Sequence, residues 1–428
     1  MNRKKIVMIV GLLFLFLSPY QAKAENLRSL IAKAVKNNFI MKASRETIEK
    51  ADYEIEAVQK QYLPSVIIDS SYRYISEVPS IALPPRKIET GVNNNYELGI
   101  GTSYLLFNGY SREATIQLKH LQKQVAEVQL KKNEKDIAFN VAKVYMNTNV
   151  LLAQKEIINA VKERVNNHVQ KIRALINQGM ALVTDELTLK LSISRYEQQL
   201  VEINSNISNN LDQLKSMVGE PVTISATSKY MTDMNASTLN LAEKEEIKTY
   251  LIKKQVSEAN QIINKSKDYP DISLSATYKY AKPGVNPIDN EWMGYYSVGA
   301  GIRWNLWDSG TSKANVNAQN KEMAVLDYQE QHSRDQIQLA YDATVRESKT
   351  MLKQLDYLKE SASLARTKME LVRNQADRGF STLTDVNAAN NEFTEAELLL
   401  EQHKVKISLK VIEIDYLSGM PISEWRLN

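Results

Sequence analysis

Two kinds of hydrophobic pattern alternate along this chain of 428 residues. The first has period two. Tyr96, Leu98, Ile100, Thr102, Tyr104 and Leu106 are interleaved with Glu97, Gly99, Gly101 and Ser103. Tyr296, Val298, Ala300, Ile302, Trp304 and Leu306 are interleaved with Ser297, Gly299, Gly301, Arg303 and Asn305. Ile272 to Tyr280 alternates in the same way, and Val66 to Tyr74 does so less cleanly, because Ile67 and Ile75 fall on the polar side. Alternation over about ten residues, with aromatics near the ends, fits a strand of a membrane barrel and equally a half-buried strand of a soluble sheet. These segments predict four strands, over 64–76, 96–107, 271–281 and 295–307.

The second pattern is helical. Ser111 to Val218 contains no proline and one glycine, Gly179, and is rich in Lys, Gln, Glu, Ala, Leu, Ile and Val. Such a run reads as helix on propensity, with the glycine as its one break. The part before Gly179 would reach roughly 100 Å at ~1.5 Å per residue, too long for the core of a globule. It therefore predicts a long antiparallel hairpin with its tip near Gly179, and the returning arm runs from Thr184 to Val218. Shorter helices are expected over Asn26–Tyr62 and Leu241–Lys267, ended by Pro64 and Pro270, because proline disfavours helix in the residue before it.

The two patterns recur at a fixed interval. Tyr96-Glu97-Leu98-Gly99-Ile100-Gly101 matches Tyr296-Ser297-Val298-Gly299-Ala300-Gly301, Gly179 matches Gly379, Thr184-Asp185 matches Thr384-Asp385, and Gly219-Glu220-Pro221 matches Gly419-Met420-Pro421, each offset by 200 residues. The chain is thus two copies of one unit: a first repeat over 25–221, a connector over 222–240, and a second repeat over 241–428 with its tip near 379. Each repeat reads as helix, strand, loop, strand and long hairpin. Asn108 or Asp308, with Ser111 or Ser312 nearby, supplies helix-capping chemistry after the second strand. The loops Glu77–Asn95 and Ala281–Tyr295 are long and proline-bearing, as outward loops of barrels tend to be.

Composition refines this reading. Arg3, Lys4 and Lys5 precede the apolar run Ile6–Leu17 and the small-residue pattern Ala22-Lys23-Ala24. These are the parts of a secretory signal peptide, 1–24, cleaved after Ala24. Its removal takes Lys+Arg from 54 to 50, equal to the 50 Asp+Glu. The mature chain is then formally neutral, and the balance offers nothing to nucleic acid. There is no cysteine, so neither disulfides nor a lipid anchor on cysteine are expected. No mature apolar run approaches the ~18 residues of a membrane helix, so membrane insertion would have to be by strands. Four strands cannot close a barrel, and open edges are not tolerated in lipid. Several chains would have to share one barrel.

The doubled unit, its order of elements, and the segments Gln178-Gly179-Met180 with Thr184-Asp185 and Arg378-Gly379-Phe380 with Thr384-Asp385-Val386 resemble the TolC family of outer-membrane channels, over essentially the whole mature chain. The resemblance implies a fold that is mostly α with a small β part, assembled as a homotrimeric helical tunnel joined to a 12-stranded barrel, four strands per chain. It implies a periplasmic adaptor (membrane fusion protein) and an inner-membrane transporter as partners, with outer-membrane lipid around the barrel. The function implied is a passive exit duct for efflux or type I secretion. A periplasmic coiled-coil adaptor or structural protein without a barrel is the alternative.

By the same resemblance Asp385 lines the periplasmic gate, as a ring of three carboxylates prone to raised pKa by mutual repulsion. The family often carries a second Asp one turn on, where this chain has Ala388. The competing reading of Asp385, and of Asp185, is a first-turn carboxylate that complements the helix dipole, with Thr384 or Thr184 as cap. Gln178, Gly179, Met180, Arg378, Gly379 and Phe380 are the candidate adaptor contacts at the tips. Tyr96, Tyr104, Tyr280, Tyr296 and Trp304 are candidates for the membrane-interface belt. The four histidines are scattered on the long helices, and no catalytic motif, metal set or cofactor site is expected.

Overall fold

The computed structural model describes residues 25–225, 230–231 and 237–427. The expected signal peptide and parts of the connector lie outside these. No described helix is long and apolar enough to cross a membrane.

In chain order the elements are α1 (Leu27–Asn37), α2 (Phe39–Gln61), β1 (Ser65–Tyr74), β2 (Ser80–Leu83), β3 (Arg86–Glu89), β4 (Asn94–Asn108), α3 (Ser111–Asn177) and α4 (Val183–Val218). The second copy supplies α5 (Glu245–Lys265), β5 (Asp271–Lys282), β6 (Met293–Arg303), α6 (Thr311–Asp377) and α7 (Leu383–Ser418). The fold divides into two compact units, each drawn from both copies. One comprises Ala43–Lys132 and Lys244–Asp335; the other comprises, among the described residues, 25–42, 133–225, 230–231, 237–243 and 336–427.

The first unit carries the sheet. Its four strands are antiparallel in the order β1-β4-β5-β6, so strands of the two copies pair directly at β4–β5 while β1 and β6 are edges. The register lines up Ile68, Ile100, Tyr278 and Tyr296 in one cross-strand row and Val66, Thr102, Ala276 and Val298 in another. Three departures from expectation have local causes. The loop Glu77–Asn95 holds the small hairpin β2–β3. Strand β4 runs on to Asn108 because β5 still covers it, with Asn108 opposite Asp271 beyond an irregularity at Leu105/Phe107. Strand β6 stops at Arg303, where Asp271 is the last residue of β5 to pair with it. Trp304 and Leu306 therefore lie beyond the strand, and the Trp304 indole instead donates to the Asp268 carbonyl at 3.1 Å.

The second sheet strand of each copy, β4 or β6, leads into its long helix through two left-handed residues, Gly109-Tyr110 and Ser309-Gly310. A side chain at Gly109 would lie 2.6 Å from the Ser266 carbonyl oxygen, so only glycine fits. Asn108 Oδ1 accepts from Arg112 N at 3.2 Å, and the Asp308 carboxylate accepts from Gly310 N and Ser312 N at 2.8 and 2.6 Å. These are the expected caps at the helix starts.

The second unit is helical. The expected helix Asn26–Tyr62 is broken at Asn38, whose backbone is extended. The break frees two amides for other work. Asn37 Nδ2 donates to the Val218 carbonyl at 3.1 Å and Asn38 Nδ2 to the Met217 carbonyl at 3.3 Å, satisfying acceptors that the end of α4 would otherwise leave open. In the second copy the Asn240 backbone N–H serves the Ser418 carbonyl at the end of α7 in the same way, at 3.0 Å.

The core of hairpin α3–α4 is built from Ile158, Val161, Val165, Val169 and Ile172 against Leu189, Tyr196 and Leu200. That of α6–α7 is built from Met369, Ala389 and Phe393. Nearer the chain termini, fully buried Asp415 on α7 is chelated by the Arg426 guanidinium, with Nη2 at 2.5 Å and Nε at 3.0 Å, and accepts from Ser237 Oγ at 2.9 Å.

Candidate functional site: strand face and hairpin tips

The strand register gives the sheet two different faces. One presents Val66, Ile68, Tyr72 and Tyr74 of β1, Tyr96, Leu98 and Ile100 of β4, Leu274, Tyr278 and Tyr280 of β5, and Tyr296, Val298 and Ile302 of β6. All of these are exposed, Ile68 at 73%, Val298 at 76% and Ile302 at 73%. Contiguous exposed apolar surface on this scale needs a non-aqueous neighbour.

The other face is mostly polar or glycine, with Ile67, Leu105 and Tyr295 among its larger apolar or aromatic members. Lys279 Nζ pairs with Glu97 Oε1 at 2.6 Å, and Thr277 and Ser297 hydroxyls are 2.7 Å apart. Gly99 admits the Asp69 carboxylate, which would lie 2.8 Å from a Cβ there. Apolar outside and polar inside is the arrangement of a strand wall between lipid and a watered lumen.

Aromatics gather at the loop end of the sheet. Tyr72 and Tyr96 have ring centroids 5.1 Å apart, Tyr96 and Trp292 6.0 Å, and Tyr280 and Trp292 stack at 5.0 Å. Trp292, one residue before β6, joins two of the expected belt residues and was not singled out by the alternation, because it lies outside any strand. Tyr104 sits toward the helix end, with the Arg112 guanidinium 5.5 Å from its ring. Tyr296 lies in a central row beside Tyr278 rather than at a strand end. Trp304 has left the strand altogether.

At the tips the two copies use one turn. Gly179 and Gly379 have φ of 72° and 81°. Gly179 N donates to Ile176 O at 2.9 Å and Met180 N to Leu175 O at 2.8 Å; Gly379 N donates to Ala376 O at 3.0 Å and Phe380 N to Gln375 O at 2.8 Å. This crossed pair is the glycine-dependent helix stop that leaves the next residue outside the helix. Phe380 is accordingly 81% exposed and Met180 64%.

The returning helices begin four residues after each glycine, and here the expected caps are corrected. Thr184 and Thr384 are already inside the helices; the N-cap positions are Leu182 and Thr382. Only a residue with extended backbone just before the helix can turn its side chain back onto the first N–H groups. Thr382 Oγ1 accepts from Asp385 N at 3.2 Å, while Asp385 Oδ2 accepts from Thr382 N at 2.9 Å and from the Thr382 hydroxyl at 2.6 Å. This is a reciprocal capping box. In the first copy Leu182 has no such oxygen, and only Asp185 Oδ2 accepting from Leu182 N, at 3.1 Å, remains.

Asp385 is exposed on the helix surface, and the hydrogen bonds from Thr382 hold its carboxyl below the ordinary value. Within one chain the carboxylate is therefore kept ionised; the expected rise in pKa belongs to repulsion among three such groups. Ala388, one turn on, is exposed as well.

A two-copy fold of long hairpins with a two-faced strand wall defines an outer-membrane duct. The family model for outer membrane efflux proteins matches twice, over 30–220 and 238–419, and the chain belongs to that family. No curated protein sequence matches the chain. Among solved structures the chain is similar to CusC, described for its transmembrane channel formation, at a TM-score of 0.79 and 13% identity, with 94% of this chain and 96% of that one covered. It is similar to the outer membrane protein VceC of Vibrio cholerae at 0.76 and 16%, covering 92% and 96%. It is also similar to the CmeC outer membrane channel of Campylobacter jejuni at 0.77 and 16%, covering 92% and 86%.

Proposed function

We propose that the chain is one subunit of a homotrimeric exit duct of a tripartite export system, working with a periplasmic adaptor and an inner-membrane transporter. The observation that carries this reading is the open sheet. Both β1 and β6 are paired on one side only, and the face between them is apolar and exposed. In lipid an open edge leaves backbone groups without partners, so β1 must meet β6 of another chain. Three copies of four strands supply twelve, within the range of membrane barrels.

The duct itself performs no chemistry. Substrate enters from the transporter and moves down its gradient past polar strand and helix surfaces. Asp385, repeated three times near the axis, would attract cations and narrow the periplasmic end. Gln178, Met180, Arg378 and Phe380, presented by the glycine turns, would meet the adaptor. An exposed phenylalanine at such a turn is hard to account for without a partner.

The test is membrane fractionation followed by cross-linking. The mature protein should sediment with outer membranes and carry inter-chain links between β1 and β6. Recovery as a soluble periplasmic protein would overturn the duct.

A further inference from the structure

The two copies pair their strands alike, and one chain therefore holds a template for the seam it lacks. Leu63-Pro64 and Tyr269-Pro270, just before β1 and β5, stand 206 positions apart; Tyr96 and Tyr296, in β4 and β6, stand 200 apart. Under those two offsets the registers of the two hairpins coincide. Ser65 faces Ser103 and Tyr72 faces Tyr96 across β1–β4, and their counterparts Asp271–Arg303 and Tyr278–Tyr296 face each other across β5–β6. The seam β4–β5 then joins the second strand of one copy to the first strand of the next. The open edges β6 and β1 are again a second strand and a first strand.

We infer that β6 of one chain meets β1 of its neighbour in the register that β4–β5 displays. With the two offsets applied, Tyr104–Leu274 becomes Trp304–Ile68, Thr102–Ala276 becomes Ile302–Ser70, and Asn108–Asp271 becomes Asp308–Ser65. The inference rests on the shared barrel proposed above: the barrel supplies the neighbour, and the repeat supplies the register.

Two features of the edges, neither used in the transfer, agree with it. The first is the faces. The register sets Val298, Ile302 and Trp304 against Tyr74, Ser70 and Ile68, the lipid-facing row of β1, whereas a slip of one residue would set them against Arg73, Asp69 and Ile67. The second is charge, which decides among slips of two. Arg303 falls opposite Asp69, and both are exposed and without an ion pair in their own chain among the described residues. Opposite charges directly across a strand pair are stabilising. A slip of two would place Arg303 against Ile67 or Ser71 instead. Gly299 likewise falls opposite Arg73 and leaves room for its long side chain.

Assembly on this register also finishes a strand. In one chain β6 ends at Arg303, whereas between chains it has partners as far as Asp308. Trp307, 83% exposed, comes opposite the exposed Val66, as its counterpart Phe107 stands opposite Ile272.

Cysteine pairs in this cysteine-free chain read the register in isolated outer membranes. Ser71→Cys with Gly301→Cys tests the polar face, and Ser70→Cys with Ile302→Cys the apolar one. Neighbouring antiparallel pairs alternate between Cα separations of about 4.5 and 5.5 Å, both within reach of a disulfide. At Gly301 a side chain meets Ser273 Oγ at an ordinary 3.5 Å. The controls combine Ser71→Cys with Gly299→Cys or with Arg303→Cys; diagonal neighbours lie about 7–8 Å apart, beyond that reach. Strands β4 and β5 stand between β1 and β6 of one chain, so each disulfide joins two chains. After mild oxidation both matched pairs should give dimer and trimer bands on non-reducing gels, at least about tenfold stronger than either control. Equal or stronger linking by a control overturns the register and leaves the shared barrel standing. No disulfide from any pair, in protein that still runs as a trimer on unheated gels, also overturns the register. Monomer under both conditions removes the shared barrel with it.

Discussion

Asp385 caps its helix and is proposed to line the gate, and the two roles can be separated by mutation. Its capping role runs through Thr382, so Thr382→Ala should remove the reciprocal cap, at about 0.5–2 kcal/mol, while keeping the carboxylates proposed to ring the gate. Asp385→Ala removes both. Single-channel recording in planar bilayers should show raised conductance or weaker block by multivalent cations in Asp385→Ala but not in Thr382→Ala. No change in Asp385→Ala would take this residue out of the gate. The pH dependence follows from the cap. A carboxyl whose folded pKa is depressed contributes stability that is present above its ordinary value and lost as pH falls through the lowered one. Cation block should accordingly hold constant between about pH 8 and pH 5; a loss of block in that interval would mean that repulsion around the ring outweighs the Thr382 bonds. Gly379 is governed by backbone alone, since a Cβ there would meet nothing within 4 Å. Gly379→Ala should cost about 1–2 kcal/mol through the left-handed conformation, visible as faster hydrogen exchange at the tip.

Elements in this chain are joined by a few specific contacts whose loss should be felt well beyond one side chain. Gly109 lies where β4 hands over to α3, against the Ser266 carbonyl. Gly109→Val must move that carbonyl or unwind the left-handed turn, and far less heat-resistant oligomer should be recovered from membranes. The tie between α7 and the C-terminal segment is the buried Asp415–Arg426 pair. Arg426→Ala leaves a carboxylate with no exposure without its cation, a change that typically costs about 3–5 kcal/mol. A clear fall in the unfolding midpoint is expected; an unchanged midpoint would mean that Ser237 and the nearby backbone N–H suffice. The break at Asn38 is an element-scale lesson of another kind. The pair Asn37-Asn38 is the local mark of the interruption, since Asn caps helices better than it continues them, and Asn38 Oδ1 accepts from Ile40 N at 2.8 Å at the start of α2; the apolar pattern over 27–61 does not show it. The same two side chains also satisfy carbonyls at the end of α4, about 180 residues later in the chain.

For the assembled molecule the decisive feature is that one chain's sheet is unfinished at both edges. The native chain has no cysteine, so introduced pairs report cleanly. Ser71→Cys in β1 together with Ser297→Cys in β6, both on the polar face, treated with a bifunctional maleimide in isolated outer membranes, should give dimer and trimer bands on denaturing gels. Only monomer would exclude the shared barrel. Much of this architecture was legible in the residues. A constant offset of 200 showed the duplication, period-two runs located the four strands to within a few residues, and the absence of glycine and proline located the long helices almost to the residue. These features are set by backbone propensity and by which residues tolerate left-handed turns, both local properties, and local properties survive into a linear reading. What only the tertiary structure decided depends on pairing across long sequence distance. The direct seam between β4 and β5 lets β4 continue to Asn108 while β6, lacking a further partner, stops short of Trp304. The cap at Thr382 rather than Thr384 follows from where the glycine turn releases the chain. The meeting of Arg164, His168 and Lys171 of α3 with Arg373 and Asp377 of α6, about 200 positions away, has no signature along the sequence at all.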